Sequence, residues 1–384
     1  MNTVEFKDSP VGRIPVDWDV VKLGDLFTFK NGKRPPVLNE GEIPIYGANG
    51  KMGLTSNYLK TKDKALIFGR VGSSGEVHLS KGCVWVSDNA IYTESYDSKR
   101  VNVHFMFYLI KFKDLKRFAT KTTHPIITQT FINNFKVPLP PLEEQKRISE
   151  ILQDVDGAIE KVNKEIGVTE KLKRGLMQRL LMEGINHTEF KDSHVGRIPV
   201  DWDVVNLEDV VEIHDNKRIP LSEKERIKMK GDYPYCGANG IIDYINDYIF
   251  NGEFVLLAED GGDYSSFGSS AYIMNGKFWV NNHAHVIEAL PSKITNRFLL
   301  HILIYLDLTH YVVGSTRKKL NQGIMRKIKI PLPPLEEQKR ISEILQDVDR
   351  RLELLTERKV KLENIKRGLM NDLLTGKRRV RITS

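Results

Sequence analysis

A stretch of nineteen residues, PLPPLEEQKRISEILQDVD, occurs twice in this chain without a single difference, beginning at Pro138 and again at Pro331. A second stretch of eighteen residues, FKDSPVGRIPVDWDVVKL, begins at Phe6 and returns at Phe190 with only two substitutions. The short motifs GANG and Trp-Val lie between these stretches, in the same order in both halves. The chain is therefore a tandem duplication, and its fold has to consist of two related copies of one architecture.

The stretches between the duplicates diverge, and their composition predicts globular domains. Short apolar runs interrupted by Gly, Asn, Asp and Ser predict strands joined by tight turns. Longer apolar runs at 103–113 and 295–306 predict helices. We therefore expect two mixed α/β (α+β) globules, at 1–137 and 185–330, each with two tryptophans in its core at matched positions: Trp18 and Trp85, and Trp202 and Trp279.

The nineteen-residue duplicate predicts a long helix in each copy, over 138–184 and, with a basic tail, over 331–384. Proline is tolerated in a first helical turn, and the glutamates that follow suit the positive end of the helix dipole. Apolar residues then repeat with heptad spacing: Ile148, Leu152, Val155, Ile159 and Val162, and in the second copy Ile341, Leu345, Val348, Leu352 and Leu355. Each helix could run for about 40 residues, roughly 60 Å. Since neither globule is obviously placed to cover these seams, we expect the helices to form an antiparallel coiled coil in a pseudo-twofold molecule.

Composition limits the classes of function. Lys and Arg exceed Asp and Glu by eight, which is compatible with a polyanionic partner. The two cysteines do not occupy matched positions, so we expect neither a disulfide framework nor a zinc site, and a cytoplasmic location is the simplest. The longest apolar runs are too short and too interrupted to span a bilayer. We find no phosphate-binding loop, no methyltransferase motif and no catalytic triad, and we interpret His283 and His285 as residues at a strand edge.

Several loops carry residues suited to DNA contact. A glycine-rich turn at 69–75 carries an arginine that could bind guanine or phosphate, and basic or hydroxyl-rich loops precede both proline runs. A solvated loop without a ligand remains an alternative for each, and GANG is better explained by the backbone geometry of a turn. The candidate contacts are Lys33, Arg34, Arg70, Ser73, Ser74, Lys121, Thr123, His124, Lys217, Arg218, Ser315, Thr316, Arg317, Lys318 and Lys319.

These motifs resemble the specificity subunits of type I restriction–modification systems over essentially the whole chain. The resemblance lies in IPVDW at 14–18 and 198–202, in GANG, in the glycine-rich turn and above all in the duplicated PLPPLEEQKRISEIL. It implies that each globule is a target recognition domain for one half of a bipartite DNA sequence, and that the helices set the gap. It further implies that the helices help to dock two modification subunits, which hold S-adenosylmethionine, and that restriction/motor subunits join the complex. The chain itself would then hold no cofactor or metal and perform no chemistry.

Two other functions fit the same residues. The chain could be a non-enzymatic scaffold whose coiled coil joins two protein-binding globules, or a self-contained nuclease or methyltransferase. Salt-sensitive binding to duplex DNA separates the specificity subunit from the scaffold. Incubation of the purified chain with DNA, S-adenosylmethionine and Mg²⁺ tests for intrinsic catalysis.

Overall fold

The computed structural model describes residues 5–35, 41–60, 64–119, 126–314 and 318–381. The chain divides into two compact units, one formed by Met1–Asn163 with Glu357–Ser384 and the other by Lys164–Thr356. These units do not end where the predicted domains end, because each combines one globule with a segment of both long helices. Among the described residues, no helix is long and apolar enough to cross a membrane.

The globule of the first unit is built from short strands and helices. Its main sheet has the order β4-β10-β7-β8, a smaller one has the order β6-β5-β9, and β1-β2 and β3-β11 form antiparallel pairs. The strands are β1 Phe6–Lys7, β2 Ile14–Pro15, β3 Asp19–Lys22, β4 Phe27–Asn31, β5 Ile43–Gly47, β6 Gly50–Thr55, β7 Leu66–Gly69, β8 Val77–Leu79, β9 Trp85–Val86, β10 Ala90–Tyr96 and β11 Lys136–Leu139. The helices are α1 Val103–Lys113 and α2 Gln129–Asn134. The predicted mixed α/β globule is thus confirmed.

The globule of the second unit repeats this plan with longer strands. Its strands β15, β20, β18, β19, β16 and β17 form one continuous sheet in that order, and β12-β13 and β14-β21 pair as their counterparts do. The strands are β12 Phe190–Ser193, β13 Gly196–Pro199, β14 Asp203–Asn206, β15 Val211–Ile213, β16 Lys230–Gly237, β17 Gly240–Ile245, β18 Phe250–Ala258, β19 Ala271–Val280, β20 Ala284–Ala289 and β21 Lys329–Leu332. The short helices are α4 Glu223–Lys228, α5 Asn296–Tyr305 and α6 Gln322–Met325.

Both predicted long helices are present and unbroken. They are α3, Leu142–Met182, with 41 residues, and α7, Leu335–Leu373, with 39 residues. Three glycines in α3 do not interrupt it, because tertiary packing outweighs a propensity cost of about 1 kcal/mol per glycine. Within the first unit, Glu144 of α3 meets the tail that follows α7, and Asp156 meets Lys366. Within the second, Glu165 pairs with Arg351, and the loop after α3 meets Glu337. In each unit the two helical segments therefore run antiparallel.

The expectation that the helices cover only each other is wrong for the first turns of each seam. Ile148 and Leu152 are completely buried in the core of the first globule, beside Leu66 and Phe105. Ile341 and Leu345 lie in the same way in the core of the second globule. Burying one such side chain stabilises by about 1.5–3 kcal/mol, so these positions attach each helix to its globule.

The later seam positions are buried or half-buried. Val162 and Leu355 are 1% and 4% exposed. The remaining members are half-buried, namely Val155, Ile159, Val348 and Leu352. Of the tryptophans, Trp18 and Trp202 are completely buried, Trp279 is 6% exposed and Trp85 is half-buried.

Candidate nucleic-acid interface and its supporting contacts

A buried tryptophan and glutamate join the first globule to α3. The indole Nε1 of Trp18 donates to Glu144 Oε2 at 3.0 Å, and Glu144 is only 1% exposed. Arg379, in the tail after α7, donates to both oxygens of Glu144 at 2.7 and 2.8 Å and to both oxygens of Asp17 at 2.8 and 2.6 Å. The hydrogen bond from Arg379 lowers the pKa of Asp17. The duplicated IPVDW and LEEQ motifs thus meet at one ion-pair cluster around the buried Glu144.

The second unit contains the same cluster with a histidine in place of the arginine. Trp202 donates to Glu337 Oε2 at 3.0 Å, and a nitrogen of His187 lies 2.9 Å from Glu337 Oε1. His187 follows the end of α3 as Arg379 follows the end of α7. In both places a glycine in the left-handed region, Gly184 at φ +66° and Gly376 at φ +70°, turns the chain back after its helix.

The glutamine after each buried glutamate binds the backbone of the adjacent globule. Gln145 Oε1 accepts from Asn102 N at 2.8 Å, and its Nε2 donates to Arg100 O and Pro140 O at 3.0 and 2.8 Å. Asn102 is also the N-cap of α1, where its side chain accepts from Phe105 N. In the second unit Gln338 repeats all three bonds at 2.9–3.0 Å, with Thr295 as the N-cap of α5. This explains why Glu and Gln recur without change in both copies.

We predict that Arg379→Ala destabilises the first unit by about 2–3 kcal/mol, because it leaves the buried Glu144 carboxylate with Trp18 as its remaining donor in the cluster. The neighbouring Arg378→Ala is the matched control, since that side chain is exposed. Hydrogen exchange at the backbone amides of the first unit measures the difference. Because the pKa of Asp17 is lowered, its contribution to stability is fully present above the range in which an unfolded aspartate titrates, and it is lost as the pH falls from there through the lowered pKa of Asp17. Equal exchange in both variants would contradict this prediction.

Three loops converge at one edge of the first globule. The GANG turn and the glycine-rich turn are in contact, since a Cβ on Gly69 would meet Ala48 O at 2.8 Å. The backbone of Arg70 binds Asn89 O and accepts from Ile127 N, where the loop before α2 returns. The predicted hairpin geometry of GANG is confirmed by Gly50, which has φ +100°. The candidate residues of the glycine-rich turn, Arg70, Ser73 and Ser74, therefore lie next to the GANG turn.

The second globule brings the equivalent loops together. Asn239 of its GANG turn donates to Gly261 O at 3.1 Å, and Leu320 N donates to Glu259 O at 2.7 Å. Glu259 binds the backbone of His283 as Arg70 binds that of Asn89, so Glu259 occupies the position of Arg70. The same loop framework thus carries a half-exposed arginine in the first unit and, in the second, a buried glutamate that is paired with basic residues.

The candidate contacts of the first unit fall into three groups. Lys33 and Arg34 are exposed, and Arg70 and Ser73 are half-exposed at the convergent edge. Ser74 is 5% exposed, and its hydroxyl donates to Arg70 O at 2.6 Å, so its role in the turn is structural. Lys121, Thr123 and His124 lie outside the described residues.

The candidate contacts of the second unit differ more from the prediction. Lys217 and Lys318 are exposed, but Arg218 is 13% exposed and donates to Glu259 Oε2 at 2.6 Å and to Ala284 O at 2.8 Å. Lys319 Nζ lies 2.8 Å from the other oxygen of Glu259. Ser315, Thr316 and Arg317 lie outside the described residues.

Arg218 belongs to a buried charge network that could be mistaken for a metal site. Ligand atoms of Asp215, Glu259 and His285 lie within 4.8 Å of one another. However, the Arg218 guanidinium pairs with both carboxylates, and His285 lies between Asp215 Oδ2 at 2.6 Å and Leu320 O at 2.7 Å. Burial alone would raise the pKa of Asp215, but the hydrogen bond from His285 and nearby positive charge lower it. The network therefore carries its own cations, and it fixes the start of the segment after Lys319. His285 belongs to the interior strand β20, which corrects its assignment to a strand edge.

Two asparagines at this edge were missed as candidates. Asn49 and Asn239 are exposed at the tips of the GANG turns, where a side-chain amide could bind a base edge. Their only signal in the sequence is the identity of GANG in both copies, and turn geometry explains that identity equally well. The loops that place these asparagines beside the candidate DNA contacts are distant from them in sequence.

Comparison with known proteins agrees with this architecture. The family model described as the type I restriction modification DNA specificity domain matches residues 15–170 and again 199–364. The MjaVIII type I restriction enzyme specificity subunit of Methanocaldococcus jannaschii is 31% identical, with 98% of this chain and 96% of that protein covered. A second specificity subunit of this organism, the putative MjaX protein, is 28% identical with 98% and 97% covered. The crystal structure of the type I restriction–modification S subunit from M. genitalium superimposes with a TM-score of 0.69 at 16% identity, covering 100% of this chain and 98% of that one. The chain therefore belongs to the family of type I restriction–modification DNA specificity subunits.

Proposed function

We propose that this chain selects the DNA target of a type I restriction–modification complex, with each globule reading one half of a bipartite sequence. The observation that carries the proposal is the convergence of three loops at one edge of each globule. The loop framework is shared between the two units, but Arg70 in one is replaced by Glu259 in the other. Shared geometry with divergent side chains is what recognition of two different half-sites requires.

The side chains at this edge suit both base recognition and phosphate binding. Arg70 can form a bidentate pair with guanine, and the amides of Asn49 and Asn239 match adenine. The exposed Lys33, Arg34, Lys217 and Lys318 suit phosphates, which give affinity without sequence information. Glu259, paired with Arg218 and Lys319, acts in this proposal by positioning Lys319 rather than by direct contact.

The long helices set the gap between the half-sites and dock two modification subunits. Exposed side chains that are identical in both copies support this docking, among them Glu143, Lys146 and Arg147 and their counterparts Glu336, Lys339 and Arg340. Two copies of one partner could then bind the chain in equivalent ways. S-adenosylmethionine belongs to those partners, restriction/motor subunits join the complex, and this chain is not itself an enzyme.

An exchange of one globule tests the proposal. Residues 25–135 are replaced by the matching stretch of a relative, and methylated adenines are sequenced in a host that also carries the modification subunit. We expect one half-site to change while the other half-site and the gap stay as they were. A change in both half-sites, or methylation without a bipartite target, would overturn the proposal.

A point variant in the same assay sharpens this test. Arg70→Ala should weaken discrimination at one base pair of its half-site by about 1–3 kcal/mol, because a bidentate contact is lost. Arg117→Ala is the control, since this exposed arginine of the same globule pairs with Asp114. Unchanged discrimination in Arg70→Ala would remove that residue from base recognition.

A further inference from the structure

A cluster of three residues joins α1, α3 and α7 in the first unit. Lys366 Nζ of α7 lies 2.6 Å from Asp156 Oδ1 of α3. The hydroxyl of Tyr108, in α1, donates to the other oxygen of Asp156 at 2.7 Å. The Lys366 ammonium also lies 5.6 Å from the centre of the Tyr108 ring. One carboxylate thus binds the opposite helix with one oxygen and the globule with the other.

The second unit contains the same Asp–Lys pair with the helices exchanged. Lys173 Nζ of α3 lies 2.5 Å from Asp349 Oδ1 of α7. His301 of α5 is 3% exposed, lines the same cavity as Asp349 and takes the place of Tyr108. Burial lowers the pKa of His301 to about 4, so the ring is neutral near neutral pH. Each residue lies 193 positions from its counterpart in the other unit.

The sequence between these residues has diverged, which makes their identity informative. Asp156 and Asp349 end the nineteen-residue duplicate, and Lys173 and Lys366 begin a shorter identical stretch, KRGLM. Between the two stretches lie sixteen positions in each helix, of which only two are the same in both copies. The Asp–Lys pair has therefore kept its identity and its contact in both units while the helix surface around it changed.

A charged pair beside an apolar seam has a specific physical effect. Heptad-spaced apolar side chains can slide past one another to another register at modest cost, because apolar contacts are not directional. A slid register would leave a half-buried aspartate and lysine without their partners, which is unfavourable. The side chains of Asp156 and Lys366 are 38% and 25% exposed, and those of Asp349 and Lys173 are 35% and 24%. A further pair between these helices, Glu165–Arg351, is longer at 3.7 Å, and its arginine is 63% exposed.

We propose that Asp156–Lys366–Tyr108 and Asp349–Lys173–His301 are positioning residues that fix the register of the two long helices and thereby restrict the DNA gap to one length. This inference rests on the proposed function, since it assigns the residues that determine the spacing of the bipartite target. In the first unit Tyr108 ties that register to a helix of the globule through its hydrogen bond to Asp156, and in the second unit His301 packs at the matching position beside the same cavity as Asp349. The clusters thus connect the separation of the helices to the placement of the recognition loops.

The double variant Lys173→Gln/Lys366→Gln tests the proposal in the complete complex. A library with the two half-sites at every spacing is selected by methylation. The wild type should methylate one dominant spacing, and the double variant should spread to spacings about one or two base pairs away. One helical turn of sliding is about 5.4 Å, which corresponds to between one and two steps of about 3.4 Å in B-DNA. Arg351→Gln, which removes the more exposed pair between the same helices, should leave the spacing unchanged.

A charge exchange distinguishes register from simple stability. Exchanging Asp and Lys at all four positions (Asp156→Lys, Lys366→Asp, Asp349→Lys and Lys173→Asp) restores both pairs and should restore the single spacing. A double variant that melts at a lower temperature but keeps the single spacing would show that the pairs only stabilise, and would overturn the proposal. Failure of the charge exchange in a folded complex to restore the spacing would also overturn it.

A second readout does not depend on the proposed function. Spin labels at Lys161 and Lys361, both exposed residues of the first unit, report the register of the two helical segments in a Cys83→Ser background. We expect one distance in the wild type and in the charge exchange, and an additional distance in the double variant. If the wild type methylates no bipartite target, the proposed function fails, and these distances still decide the inference about register. A single distance in the double variant would overturn it.

Discussion

Gln145→Ala and Gln338→Ala should each lower the melting temperature of the unit that contains the substituted residue by roughly 6–12 °C. Each substitution removes three hydrogen bonds and leaves one backbone N–H and two carbonyls of buried or half-buried segments without their partner. We expect a total cost of about 3 kcal/mol, since each such group costs on the order of 1 kcal/mol. In a unit of this size, 1 kcal/mol corresponds to about 2–4 °C. Scanning calorimetry measures the shift.

The same helix offers a matched control for this prediction. Gln153 lies eight residues after Gln145, and its side chain donates to Ser149 O within α3 itself. Gln153→Ala should therefore change the melting temperature by at most a degree or two. Hydrogen exchange at Asn102 N and Thr295 N locates the effect, because these amides lose their acceptor in the Gln145 and Gln338 variants. A loss in Gln153→Ala as large as in Gln145→Ala would contradict our assignment of these bonds.

Adding one heptad to each long helix, after Val162 and after Leu355, should lengthen the DNA gap by up to about three base pairs. These two seam positions are matched and buried, and seven residues preserve the apolar period. The insertion adds about 10 Å of helix at 1.5 Å per residue, and B-DNA rises about 3.4 Å per base pair. The half-site bases should not change, because neither globule is altered. Affinity at the new gap should fall, since added base pairs also rotate one half-site around the duplex.

Selection by methylation from a library of spacings measures the new gap. An insertion of two residues in each helix is the control. Two residues turn an α-helix by about 200°, so the insertion moves the following apolar positions to the opposite face and should destabilise the pair of helices rather than lengthen the gap. An unchanged spacing in a folded, active complex with the heptad insertions would mean that the helices hold the molecule together without setting the gap.

Periodicity and local signals were sufficient to predict the long helices. The prolines, the first-turn glutamates and the heptad spacing all depend on residues close in sequence, and α3 and α7 begin within the predicted segments. The surface that covers the first seam positions was not predictable in this way. Ile148 and Ile341 face globule residues that are dozens of positions away, and an apolar period does not reveal which apolar surface will cover it.

The candidate DNA contacts show even more clearly that local sequence signals do not reveal tertiary contacts. Arg218 looks like Arg34 in sequence, because both follow a lysine. In the structure, however, Ile219 N donates to Val280 O as Lys33 N donates to Val86 O, so the two loops are displaced by two residues. Arg218 consequently turns inward to Glu259, which is 41 positions away. A basic residue in a loop is available for a DNA contact only if it is not paired with a carboxylate. The fold determines whether such a pair forms.

The two compact units are not the two halves of the gene. Each unit needs its own globule, the start of the helix that follows this globule, and the final part of the other helix, which the other half of the gene encodes. A chain ending shortly after His187 would hold one complete globule and one complete helix, with half of that helix lacking a globule to cover it. Two such chains could satisfy each other by exchanging their helix ends, and their shared Trp18 and Glu144 would receive the His187 of the opposite chain. A gene that lost one repeat would therefore encode a protein obliged to pair with itself, with two identical globules. If each globule reads one half-site as proposed, its target would be palindromic.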